Sequence, residues 1–186
     1  VFKMVKKYKN NQNAKPLILM GYYQMIFNYG EKKFIKECKK AGVNGLIVVD
    51  LSYPDNKKFA SLCKKNSICF IQLIAPTTNI KRIKEIIKIS HEMIYMISMI
   101  STTGSALKVT TRKIMKNYDI VKKINPSKNV AIGFGITEKT IGSLKNANGL
   151  VVGSALCKEI SKSIKNRQNP VTNVISIVNK LKKKIS

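Results

Sequence analysis

Short apolar runs alternate with longer segments of helical spacing along the whole chain. The runs occupy residues 17–22, 45–49, 69–74, 94–98, 130–134 and 149–152. They are aliphatic or β-branched on consecutive positions and bounded by Gly, Pro, Asp or Ser. This is the pattern of short parallel strands buried on both faces. Helical spacing covers residues 31–40, 55–65, 80–90, 111–124 and 138–146. In the first of these Phe34, Ile35 and Cys38 share one face, with Lys32, Lys33, Lys36, Lys39 and Lys40 opposite. Ile80, Ile83, Ile86 and Ile87 repeat the arrangement. Residues 158–164 read as a short helix and 170–185 as a terminal one, with Pro170 near its start.

Strand followed by helix, six times over, predicts a parallel α/β sheet. Two of the runs end in glycine turns about twenty residues apart: Val130-Ala131-Ile132-Gly133-Phe134-Gly135-Ile136 and Gly149-Leu150-Val151-Val152-Gly153-Ser154-Ala155. The last two strands of a (β/α)8 barrel end this way when their loops and a helix N-terminus hold a phosphate group. The expected architecture is therefore a TIM barrel of about six β/α units, forming one partial domain over residues 1–186. A full barrel has eight strands in ~250 residues, and the phosphate-type turns stand at the rear. The shortfall of about two units is thus placed at the N-terminus, where the first residue is Val. Six strands would leave two sheet edges unpaired, which predicts low stability.

In a barrel the chemistry sits at the C-terminal strand ends. Gly133, Gly135 and Gly153 would let backbone N–H groups approach an anion with no Cβ in the way, Ser154 would add a hydroxyl and cap the next helix, and Gly104 is a third candidate turn. The alternative reading is that these glycines only make tight turns. Asp50 is the one acidic residue at such an end; it either orients a substrate group or acts as a base, or else caps a loop or pairs with a lysine. Tyr22 and Tyr95 offer an aromatic wall for a flat ligand, or ordinary packing. His91, the sole histidine, precedes a strand at the stability face, so no Ser-His-Asp or Cys-His arrangement forms around it. Arg82 reads as a solvated helix residue. Cys38, Cys63, Cys69 and Cys157 show no metal spacing and read as buried free thiols in a reducing compartment, with no metal site expected.

Composition alters this picture little. The 186 residues are 44% hydrophobic, enough for a core. The net charge of +26 raises a nucleic-acid binder as a competing class. However, only Arg82, Arg112 and Arg167 are arginines, and the lysines are spread over every expected helix, so no specific nucleic-acid partner is expected. No apolar run approaches a membrane span, and no apolar segment follows the basic start as a secretory signal requires.

Several stretches in order resemble one family, the alpha subunit of tryptophan synthase, from Pro16 to about residue 160. They are Pro16-Leu17-Ile18-Leu19-Met20-Gly21-Tyr22, Phe27-Asn28-Tyr29-Gly30, the run from Ala41 to Leu51, Leu73-Ile74-Ala75-Pro76-Thr77-Thr78, Ile94-Tyr95-Met96-Ile97-Ser98, Gly133-Phe134-Gly135-Ile136 and Val151-Val152-Gly153-Ser154-Ala155. The resemblance implies a (β/α)8 lyase of tryptophan biosynthesis that cleaves indole-3-glycerol phosphate to indole and glyceraldehyde 3-phosphate by a retro-aldol step. It implies a beta-subunit partner in an alpha2-beta2 tetramer, with pyridoxal phosphate in that partner and no cofactor in this chain. It implies a cytoplasmic or plastid setting. Carried over by position, Gly104, Gly135, Gly153 and Ser154 match phosphate-binding residues, Tyr22 and Tyr95 match tyrosines near the indole end, Asp50 matches an acidic residue that signals to the partner, and Thr103 matches a threonine of the closing loop.

The chain also departs from the family pattern. The two catalytic carboxylates, a Glu and an Asp, would fall before Val1, so no catalytic residue is expected within it. Ser101 replaces a loop glycine, Ser52 a turn proline and Gln24 an asparagine near the partner surface. The resemblance therefore carries an alternative: a catalytically dead subunit that only binds and supports a beta partner.

Overall fold

A computed structural model describes residues 1–98, 100–102, 105–107, 110–133 and 135–185, with backbone only at 100–102 and 105–107. The order of elements is α1 (Phe2–Lys9), β1 (Ile18–Gly21), α2 (Tyr23–Tyr29), α3 (Glu31–Ala41), β2 (Gly45–Val48), α4 (Lys57–Lys65), β3 (Cys69–Phe70), β4 (Gln72–Ile74), α5 (Ile80–Ile89), β5 (Met93–Ile97), β6 (Ile100–Thr102), β7 (Ser105–Leu107), α6 (Thr111–Ile124), β8 (Asn129–Gly133), a 3-10 turn at Ile141–Leu144, β9 (Gly149–Val151), α7 (Ser154–Lys165) and α8 (Pro170–Lys183). Strand and helix alternate as the apolar pattern requires, and β1, β2, β5, β8 and β9 fall on the expected runs.

The chain divides into two compact units, one of Val1–Leu73 with Asn79–Ile94, the other of Ile74–Thr78 with Tyr95–Ser186. The first carries the sheet β1-β2-β3, parallel throughout, with Leu19 opposite Leu46 and Leu46 opposite Phe70. Helices α3 and α4 cover it. Ile35, Cys38, Leu46, Phe59, Cys63 and Phe70 are at most 2% exposed. Phe59 meets Phe70 edge-on at 5.6 Å between ring centres. Burial of such side chains contributes roughly 1.5–3 kcal/mol each.

A second sheet has the order β4-β5-β8-β9; β8, β9 and the antiparallel hairpin β6-β7 lie wholly in the second unit. Met96, Val121, Ile132, Ile141 and Leu144 are buried in it. Thr110 caps α6 by accepting the Lys113 N–H at 3.4 Å, and Asn169 caps α8 through the Val171 and Thr172 N–H groups with Pro170 in the first turn.

Four expectations need correction. The run at 69–74 is split at Ile71 into β3 and β4, and the Ile71 N–H goes to Leu46 O. Residues 138–146 form only the 3-10 turn Ile141–Leu144, because Thr140 Oγ1 accepts the Thr137 N–H at 3.0 Å and offers the backbone a local alternative to helix. The helix expected at 158–164 begins at Ser154. Burial on both faces holds for β2 but not for β1 and β9, where Ile18, Met20 and Val151 are 39%, 47% and 42% exposed. Each of these two strands has a single ladder neighbour among the described residues.

Candidate functional site

The two glycine turns leave the same rim of the second unit. Strands β8 and β9 are parallel, with Gly133 opposite Val151. Neighbouring strands lie about 4.8 Å apart. Gly135 lies two residues beyond Gly133, and Gly153 two residues beyond Val151, so each turn follows a paired strand end. Gly135, Gly153 and Ser154 are all exposed. Gly104 and Thr103, expected beside them, lie outside the described residues.

The three glycines have different physical reasons. Gly135 adopts φ 67°, the left-handed region where a side chain is strained. Gly133 is a packing glycine: a Cβ there would overlap the Tyr95 hydroxyl. Gly153 has φ −120° and nothing within 4 Å of where a Cβ would stand, so neither turn strain nor crowding by the protein demands glycine. What its bareness provides is open space at the start of α7.

Gly153 is the N-cap of α7 and carries no side-chain cap; its carbonyl accepts the N–H groups of Leu156 and Cys157 at 2.9 and 3.1 Å. Ser154 is the first helical residue rather than the cap. An unsubstituted N-terminus of this kind presents backbone donors and the positive end of the helix dipole to an anion. Thr140 Oγ1 reaches Gly135 O at 3.4 Å, tying the first turn to the 3-10 segment behind it. Glu138, ahead of that segment, pairs with Lys184 at the C-cap of α8 at 3.0 Å, which lowers the Glu138 carboxyl below its usual range.

Tyr95 is 6% exposed, with its hydroxyl over Gly133, and burial raises its phenol above the ordinary value. Ser98, just past β5, donates to Gly133 O from both its N–H at 2.9 Å and its hydroxyl at 2.7 Å. Sequence reading placed Ser98 at a strand C-terminus, ahead of the Thr103–Gly104 segment, and gave it no role of its own. The only available signal was its place at a strand C-terminus, since its partner is distant in sequence.

In the first unit Tyr22 is 64% exposed at the N-cap of α2, against an apolar groove of about 510 Å³ lined also by Leu19, Met20, Met25 and Ile47. Asp50 Oδ1 accepts the Tyr23 N–H at 2.6 Å, capping α2 from the next strand end. The Asp50 loop is fixed from behind by Asn56, whose Nδ2 donates to Leu51 O at 3.3 Å and to Gln72 Oε1 at 2.8 Å. Asn56 and Gln72 are a buried amide pair with no sequence signature, and Asn56 Oδ1 and Gln72 Nε2 find no partner among the described residues. His91 Nδ1 accepts the Phe70 N–H at 2.9 Å, a structural role at the opposite end of the strands from Asp50. Arg82 lies at the surface, where its guanidinium bonds Tyr53 O.

Cys38 and Cys63 are fully buried, and burial pushes both thiols up to about 12; Cys69 is raised to about 11 by burial and by Glu92. Cys157, expected to be buried, is exposed on α7. Among the described residues no group of three or more His, Cys, Asp or Glu is placed to hold a metal, and no helix is long and apolar enough to cross a membrane.

The sequence profile of the tryptophan synthase alpha chain family matches residues 1–186. The chain belongs to this family. Its fold, a (β/α)8 barrel type, and its role in tryptophan biosynthesis follow from membership; the family's reaction is the lyase cleavage of indole-3-glycerol phosphate. The chain is 64% identical over 186 residues to the tryptophan synthase alpha chain of Pelagibacter ubique strain HTCC1062, covering 100% of this chain and 70% of that one. It is similar to the crystal structure of the alpha subunit from Legionella pneumophila strain Paris, with a TM-score of 0.84 at 25% identity, over 99% of this chain and 68% of that one. It is also similar to a chain of the Pyrococcus furiosus structure described as showing mutual activation of the tryptophan synthase alpha2-beta2 complex, with a TM-score of 0.77 at 30% identity, over 99% of this chain and 69% of that one.

Proposed function

We propose that this chain holds the phosphate end of indole-3-glycerol phosphate for retro-aldol cleavage to indole and glyceraldehyde 3-phosphate. The observation that carries the reading is the parallel pairing of β8 with β9, whose paired ends Gly133 and Val151 each lead, two residues on, to a glycine, the second of them the bare start of α7. Backbone donors there, with the Ser154 hydroxyl, bind the phosphate; Gly104 completes the set. Tyr22 and Tyr95 serve the indole side. Asp50 and Thr103 couple the loops to a partner, Asp50 doing so from a carboxylate already anchored on the start of α2.

No residue from Val1 to Ser186 is assigned as acid or base, and the proton transfers are given to the family's Glu and Asp. The chain itself uses no cofactor, and pyridoxal phosphate belongs to the partner. That partner is a tryptophan synthase beta subunit, as the Pyrococcus complex and the exposed Met25 and Phe27 of α2 support. The setting is the cytoplasm or a plastid.

Calorimetric titration with glycerol 3-phosphate tests the site. Saturable binding is expected, lost in Gly153→Val, whose side chain fills the open space; binding undisturbed by that change defeats the reading.

A further inference from the structure

We propose that Ser98 is a positioning residue for phosphate binding: by holding the Gly133 carbonyl it fixes the direction in which the chain enters the Gly135 turn. The inference rests on the phosphate reading above. An ordinary parallel ladder gives a strand carbonyl one donor. Gly133 O receives two, the Ser98 N–H at 2.9 Å and the Ser98 hydroxyl at 2.7 Å. Ser98 is 5% exposed, so its hydroxyl is a buried donor that must be satisfied, and alanine would keep the ladder bond while removing the hydroxyl. The other side of Gly133 is closed by the Tyr95 hydroxyl, which leaves no room for a Cβ. The last residue of β8 is thus held at its carbonyl and at its Cα, both times from β5 or its end.

This matters because Gly133 has no side chain to restrain it, and Gly135, two residues on, is already in the left-handed region. A peptide plane at a glycine swings easily, and a swing at Gly133 would turn the following donors away from a ligand. An anion site made of backbone donors works only when those donors are pre-aimed.

The test is the affinity of the whole chain for inorganic phosphate and for glycerol 3-phosphate, measured by calorimetry alongside thermal unfolding. Ser98→Ala is expected to weaken both ligands by about 3–10-fold, the scale of one lost hydrogen bond, and Ser98→Thr to restore most of the affinity. Ile35→Ala, a buried change in the first unit, serves as the stability control: its melting point should fall with affinity unchanged. If Ser98→Ala does not fold, Ser98→Cys against Ser98→Thr decides, with the weaker thiol donor expected to bind less tightly. Equal affinities across the Ser98 series, with phosphate still bound by the parent chain, overturn the inference and leave the phosphate reading standing. No binding by the parent chain overturns both.

Discussion

Strands β2 and β9 read almost identically, Gly45-Leu46-Ile47-Val48 against Gly149-Leu150-Val151-Val152, yet they live in opposite environments. Every residue of β2 is buried, while none of β9 is, and Val151 is 42% exposed. The difference lies in the neighbours. β2 has β1 on one side and β3 on the other, with α3 and α4 over its face; β9 is paired only with β8 among the described residues. A glycine-led aliphatic run therefore specifies a strand, and the sheet position decides what that strand does. The central strand contributes core. The edge strand ends in the open glycine turn that the proposed phosphate site needs.

Leu46→Ala tests the comparison at its strongest point. A side chain 2% exposed at the centre of the sheet should cost about 2–5 kcal/mol by denaturant unfolding. A loss below about 1 kcal/mol would mean that the two strands are not so different after all. Gly133→Ala comes next, at about 1–3 kcal/mol, because the new methyl overlaps the Tyr95 hydroxyl. Combining it with Tyr95→Leu should recover part of the loss; simple addition of the two costs would show that the contact is not the cause.

Alkaline titration probes the first unit without mutation. Its three shielded thiols have folded values of about 11 to 12, above the unfolded value near 8.5. The folded state thus keeps protons that the unfolded state releases, so their contribution is full below pH 8.5 and declines as pH rises toward 11. The melting point should fall through that range, and less so in Cys63→Ala after correction for its lower starting stability. The smallest effect belongs to β9: Val151→Ala should stay within about 0.5 kcal/mol. A larger loss would show that the exposed edge is covered in solution.

Periodicity revealed much of the fold and stopped where local cues were thin. Helix α3 was readable from Phe34, Ile35 and Cys38 on one face and from Gly42, which takes φ 88° at the C-cap. Helix α2 was not, since seven residues from Tyr23 to Tyr29 carry no cap of their own and borrow Asp50 from another strand end. Helix α1 and the β6-β7 hairpin also escaped the pattern. At the site, Gly135 and Gly153 stood out because glycine is visible in any sequence. Asn56 and Gln72 did not, and Ser98 was visible only as a strand-end residue without a role, since each acts through a partner remote along the chain.

The sequence alone determined the strand–helix alternation, the family and the two glycine turns, because spacing and residue type are local properties written in order along the chain. Tertiary structure decided which glycine serves which purpose: Gly133 yields to a tyrosine, Gly135 to a backbone angle, and Gly153 to open space above a helix. It also decided that β2 is core and β9 is edge. Burial and close approach depend on what lies across the sheet, and the apolar pattern of a single strand carries no record of its neighbours.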